Sequence, residues 1–159
     1  MTTNVPRAVL LAAAVLLALL ALVLWMRDAR QTPSIVADPV RTPGMLNPSV
    51  TQATIRSTIC VRGWTRTVRP PTDYTNALKV RQMRLYREQG PLSDYQEDHL
   101  ISLELGGDPT DPRNLWPEPY PRAAAVDRME NDLNAQVCSG ALSLADAQRK
   151  EAELKHTQG

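Results

Sequence analysis

The chain has 159 residues, with 18 Lys and Arg against 17 Asp and Glu, so its net charge of +1 lies close to balance. Beyond an apolar amino-terminal stretch, about 130 residues remain, enough for one modest core and too few for two. The charge is unevenly placed: eight basic residues from Arg56 to Arg87 are set against the single acid Asp73, and eleven acids from Glu88 to Asp132 against three arginines. A phosphate-binding flank beside a metal-binding centre would have this pattern; two solvated faces that attract each other are the plainer account.

From Ala8 to Met26, nineteen residues carry no charge, close to the roughly 20 apolar residues a helix needs to cross the hydrocarbon core. Trp25 ends the run, where an interfacial aromatic belongs. The expectation is one transmembrane helix, with residues 1–27 as an anchor held in a lipid bilayer through residues 8–26. A cleaved signal segment, giving a secreted domain, is the alternative; the length of the run and the lack of a small-x-small site at Trp25-Met26-Arg27-Asp28 argue against it. Arg7 before the run and Arg27 and Arg30 after it leave sidedness open.

Residues 28–46, rich in Pro, Thr, Ala and Arg, read as a semi-rigid linker. The folded domain, 47–159, is expected to open with Asn47 as a helix cap and Pro48 in the first helical position, ahead of Val50, Ile55 and Ile59. Val61 to Pro71 reads as extended, closed by the Pro70-Pro71 turn. A helix follows from about Thr75 to Gln89, with Leu78, Gln82 and Leu85 on one stripe and Gly90 as its stop. Its basic side carries Arg81, Arg84 and Arg87, candidate contacts to nucleic acid. Short strands at Leu100–Leu105 and Asn114–Glu118 flank a Gly-Gly-Asp-Pro turn. Two helices close the chain, about 122–137 and 143–155, the second opening with Ser143 and Asp146 in a capping-box arrangement. The fold class is α+β.

Cys60 and Cys138 are the only cysteines. In an exported domain such a pair reads as one disulfide, which favours the non-cytoplasmic side; in a cytosolic protein the two would be buried thiols. Trp64, Trp116 and Tyr120 have the rings to stack on bases, yet with no Phe in the chain they are also its main large core material.

The informative stretch is Glu97-Asp98-His99-Leu100-Ile101-Ser102-Leu103-Glu104-Leu105-Gly106-Gly107, followed by Asn114-Leu115-Trp116-Pro117. It places a carboxylate, an imidazole and a carboxamide around one hairpin. An Asp oxygen suits Mg²⁺ or Mn²⁺ and an imidazole suits Zn²⁺. A neutral His, with a reference pKa near about 6.5, can take a proton from water at physiological pH.

In these residues the chain resembles the HNH endonuclease family, whose ββα-metal unit reads Asp-His, a short apolar run, Gly-Gly, Asn-Leu and then a helix. The resemblance covers Asp98 to the helix after Pro121. It implies a small ββα-metal hairpin-helix unit with flanking helices and a divalent metal cofactor, Mg²⁺, Mn²⁺ or Zn²⁺. It also implies hydrolysis of nucleic-acid phosphodiester bonds, with His99 as the base that activates water, Asp98 as a metal ligand and Asn114 as the brace of the loop. The family's last ligand falls on Ala123 or its alanine neighbours, so the third ligand is missing from its expected place and another residue would have to take it. Asp127 is the first candidate, with Glu130, Asn131 and the strand residue Glu118 as alternatives.

The leading reading is a membrane-tethered, metal-dependent endonuclease. A catalytically silent binding or structural module is the alternative, and the alanines at 123–125 speak for it. An enzyme of another class built on His99 with Glu97 or Asp98 lacks a Ser or Cys nucleophile beside them.

Overall fold

The computed structural model describes residues 13–23 and 36–158, and the chain divides into two units, Met1–Thr32 and Pro33–Gly159. In the first unit the described residues 13–23 are helical. Among the described residues no helix is long and apolar enough to cross a membrane. The expected transmembrane helix over 8–26 is corrected accordingly; its residues 8–12 and 24–26 lie outside the described ones.

The second unit is α+β. Its longer elements are α1 (Trp64–Val68), α2 (Thr72–Tyr86), β1 (Tyr95–His99), β2 (Leu115–Pro119), α3 (Tyr120–Ser139) and α4 (Leu144–Thr157), with 3₁₀ turns at Ile55–Ser57, Leu92–Asp94, Leu103–Leu105 and Pro112–Asn114. The strands pair antiparallel in the register Tyr95↔Pro119, Asp98↔Trp116 and His99↔Leu115. With the two-residue period of a strand, Glu97 and His99 share one face, while Gln96 and Asp98 share the other with Trp116 and Glu118.

The main core joins Val50, Ile55, Ile59, Ile101, Leu105, Leu133, Val137, Leu144 and Ala147, with Cys60, Trp64 and Met129 packed on it. A smaller cluster gathers Ala37, Tyr86, Leu100 and Trp116, in which the Tyr86 and Trp116 rings lie 6.1 Å apart. Trp116 is fully buried. The Cys60–Cys138 disulfide, with Cα atoms 5.6 Å apart, closes a 78-residue separation; constraining a loop of that length in the unfolded chain stabilises by about 4 kcal/mol.

Several elements differ from the sequence reading. Asn47-Pro48 opens no helix: the Asn47 side chain accepts from Ser49 N–H in a local turn, a common competitor of helix for Asn, and only the Ile55–Ser57 turn follows. Trp64–Val68 is helical rather than extended, its Trp64 drawn onto the core beside the disulfide. Helix α2 stops at Arg87, not Gly90, because Arg87 turns left-handed (φ 58°) and Glu88 N–H closes on the Met83 carbonyl. The first strand ends at His99 instead of starting at Leu100. Leu103 and Leu105 are then buried by a 3₁₀ turn, which lets consecutive apolar residues face one core without strand alternation. At α4 the Ser143 hydroxyl accepts from Asp146 N–H and donates to its carboxylate.

Residues 36–46, read from the sequence as part of the linker, pack on this unit. Ala37 and Thr42 are buried, Thr42 Oγ1 lies 2.5 Å from the Tyr86 hydroxyl, and Ala37 N–H donates to the Lys155 carbonyl. The strap then crosses the loop between the strands: Gly44 N–H donates to Arg113 O, Asp108 N–H to Met45 O, and Leu46 bridges Gly107.

Candidate functional site

The loop from Leu100 to Asn114 is closed by one side chain. Asn114, with no exposed surface, accepts from Ile101 N–H at 2.9 Å and donates through Nδ2 to the carbonyls of Ile101 and Asp108, both at 3.0 Å. A carboxamide can make these bonds in both directions at once; a carboxylate cannot donate. Gly107 must be glycine here, since a Cβ would stand 1.8 Å from the Ile101 carbonyl oxygen and 2.6 Å from Asn114 Nδ2.

The closed loop brings the Pro109 carbonyl 3.1 Å from His99 Nε2. A carbonyl only accepts, so Nε2 carries the ring proton and Nδ1 is left with its lone pair. His99 is buried, and burial lowers its pKa below the ordinary value while the nearby Asp98 charge pulls the other way. The imidazole is therefore neutral at physiological pH, oriented, and able to accept a proton.

His99 lines a cavity of about 290 Å³ together with Glu97 and Asp98 from β1, Glu104 from the loop, Asp127, Glu130 and Asn131 from α3, and Arg69. Burial pushes the Glu97 carboxyl up to about 8 against the pull of Lys79 and Arg81, and neither of its oxygens has a hydrogen-bond partner. Asn131 Nδ2 is turned back onto the Asp127 carbonyl. Arg69, just past α1, is exposed, and its charge acts on both His99 and Glu104.

On the inner side of Asp98 lies Lys155, which has no exposed side-chain surface. Its Nζ is 2.8 Å from Asp98 Oδ2 and 2.6 Å from Glu130 Oε1 and donates to the His99 carbonyl. Burial would lower the Lys155 pKa, yet Asp98, Glu130 and Glu151 together hold it well above the ordinary value.

The structure thus brings Asp98, His99, Asp127, Glu130 and Asn131 to one cavity and leaves Glu118 outside its lining. Glu118 is buried and accepts from Gln96 across the strands instead. Arg81, Arg84 and Arg87 do not line the cavity either; Arg81 borders an apolar hollow formed with Leu78, Leu85 and Tyr86. Arg69, Glu104 and Lys155 have no role in the sequence reading: Arg69 and Lys155 are ordinary charged residues far along the chain from the Asp-His pair, and Glu104, inside the informative stretch, has no motif position of its own.

The cavity's donors fit a hard divalent ion in kind. They are carboxylate and carboxamide oxygens, and Mg²⁺ asks a protein for only one or two carboxylates, keeping water and phosphate as its other ligands. The partnerless oxygens of Glu97 leave donor capacity to spare. Among the described residues no three His, Cys, Asp or Glu side chains are grouped to hold an ion by themselves. Comparison with protein-family models, with curated proteins and with solved structures finds no match to this chain.

Proposed function

We propose that the second unit is a hydrolase of nucleic-acid phosphodiester bonds, an endonuclease of HNH type in which His99 is the general base. The observation that carries this reading is the 3.1 Å contact of His99 Nε2 with the Pro109 carbonyl, on a ring that lines a carboxylate-walled cavity. That contact turns a neutral imidazole's acceptor nitrogen to the task of taking a proton from water. The water oxygen then attacks phosphorus, and the ester oxygen on the far side leaves. General-base assistance of this kind contributes about 10²–10⁴-fold.

Asn114 keeps the loop carbonyl in place behind His99. Arg69 offers the cavity a planar guanidinium suited to phosphate oxygens. A Mg²⁺ or Mn²⁺ ion held by Asp98 with Asp127 or Asn131 would supply charge stabilisation to the pentavalent phosphate and the leaving oxygen. The Cys60–Cys138 disulfide is of the kind that persists outside a reducing cytosol, so we place the activity in an oxidising compartment.

The alternative is a hairpin module without catalysis. It is favoured by one observation: Asp98 and Glu130, two of the cavity's carboxylates, are already bonded to Lys155. Incubating the purified protein with single-stranded DNA, duplex DNA and RNA, in Mg²⁺, Mn²⁺, Zn²⁺ or EDTA, separates the two. The proposal expects metal-dependent cleavage that Arg69→Ala slows by about tenfold or more, the loss of one charge-assisted phosphate contact. Intact substrates under every condition would leave the silent module.

A further inference from the structure

Beside the His99 cavity lies a second hollow, of about 250 Å³, lined by Arg62, Gly63, Trp64, Asn134 and the Cys60–Cys138 disulfide. Glu104 borders both, so the two share a wall. Asn134 Nδ2 ties that wall to α3, donating to the Glu104 carbonyl at 2.7 Å and to the Ile59 carbonyl at 3.4 Å. Trp64 packs on the main core yet stays half-buried, whereas Trp116 is fully enclosed. Gly63 turns left-handed (φ 84°), and the Arg66 guanidinium lies over it, where a Cβ would stand 3.0 Å from Nη2. Arg62, Arg66 and Arg69 are exposed and follow one another at four and three residues through the Trp64–Val68 helix. Among the described residues none of the three is paired with a carboxylate, while Arg41, Arg113 and Arg149 each are. Arg62 reaches the second hollow and Arg69 the first, and the Arg69 charge acts on Glu104 between them.

We propose that the second hollow is a subsite for single-stranded nucleic acid: one base enters it against Trp64, and the flanking phosphates lie along Arg62 and Arg66, so that the strand runs past Arg69 into the His99 cavity. The inference rests on the phosphodiester reading of that cavity and adds which form of nucleic acid it takes and where the strand is held. An unpaired base has a free π-face for the indole, whereas a duplex covers both faces of each base with its neighbours. The guanidinium fork matches phosphate oxygens. An acidic peptide would meet the same arginines but brings no flat ring to Trp64.

The experiment is binding of a fluorescein-labelled single strand of about eight nucleotides, a length small folds cover, to the full chain in EDTA, read by anisotropy across a salt series. Arg62→Ala with Arg66→Ala, both at exposed positions, is expected to weaken binding by about tenfold or more. The slope of log affinity against log salt should become shallower by about 1.4, two phosphate contacts at about 0.7 each. The strand should also quench the tryptophan emission, and Trp64→Phe, which keeps a ring on the core, should remove that quench. No binding by the unaltered protein, unchanged affinity and salt slope in the folded double variant, or a quench that survives Trp64→Phe would overturn the proposal. A Glu-rich peptide of the same length that binds as tightly and quenches as fully would overturn it too. The two readings fail separately. Strand binding lost in the double variant, with no cleavage by the unaltered protein, removes the hydrolase and keeps the subsite; cleavage with binding indifferent to Arg62 and Arg66 removes the subsite and keeps the hydrolase.

Discussion

Two regions meet at His99, and they are built on opposite principles. In front, the loop from Leu100 to Asn114 is closed onto the imidazole by neutral groups: Asn114 makes three hydrogen bonds and the Pro109 carbonyl meets the ring. Behind, the carboxylates of Asp98, Glu130 and Glu151 are drawn from three elements around one ammonium, with oxygens of Glu118 and Glu151 left partnerless. The neutral bonds that aim the imidazole join residues 6 to 13 apart in the chain. The charged cluster depends on the whole unit being folded, because its parts meet only then.

The comparison can be broken most severely at the loop. Asn114→Ala leaves the Ile101 N–H and two carbonyls without their partner in a buried place. At about 1–3 kcal/mol for each unsatisfied group, partly relieved by relaxation, roughly 3 kcal/mol of stability should be lost. Chemical denaturation measures this, and the Pro109 contact with His99 should loosen with it, seen as a shift of the His99 ring signals.

A smaller loss is expected from the strap. A fragment starting at Asn47 lacks Ala37 and Thr42 and the bonds that Gly44 and Met45 make to Arg113 and Asp108. Compared with one starting at Pro33, it should be less stable by about 2 kcal/mol, from lost burial and the loss of at least three hydrogen bonds whose groups water can partly satisfy. Equal melting temperatures would mean that the strap does not hold the loop.

A third test concerns pH. The Glu97 carboxyl is raised by burial to about 8, above its unfolded value near about 4.5, so the folded state binds that proton more tightly. The contribution is fully present below pH 4.5 and is lost as pH rises towards 8. The loss is read as the slope of unfolding free energy against pH across that window. Glu97→Gln, which cannot ionise, should flatten this part of the stability curve.

The same division explains what the sequence disclosed. Asp98, His99, Gly107 and Asn114 lie within one short stretch, and the bonds that join them are local, so their spacing alone marks a hairpin site. The disulfide was legible because only two cysteines exist to form it. Lys155 is 57 residues from Asp98, and no periodicity in α4 distinguishes it from the exposed lysine and arginine nearby. Arg69 was hidden because a five-residue helix beside the disulfide, not a propensity of its own, brings it to the cavity. The strand was misplaced by several residues because the apolar run Leu100–Leu105 satisfies burial through a 3₁₀ turn. The strap was hidden because Pro and Thr advertise a linker even where Thr42 reaches Tyr86.

The central claim, that His99 is a general base, is tested most directly by His99→Ala assayed for metal-dependent cleavage alongside the unaltered protein. A circular dichroism melt on each sample checks that the fold is kept. A fall in rate of about 10²-fold or more, with the fold intact, is the predicted result; cleavage by the folded variant at the unaltered rate would contradict it.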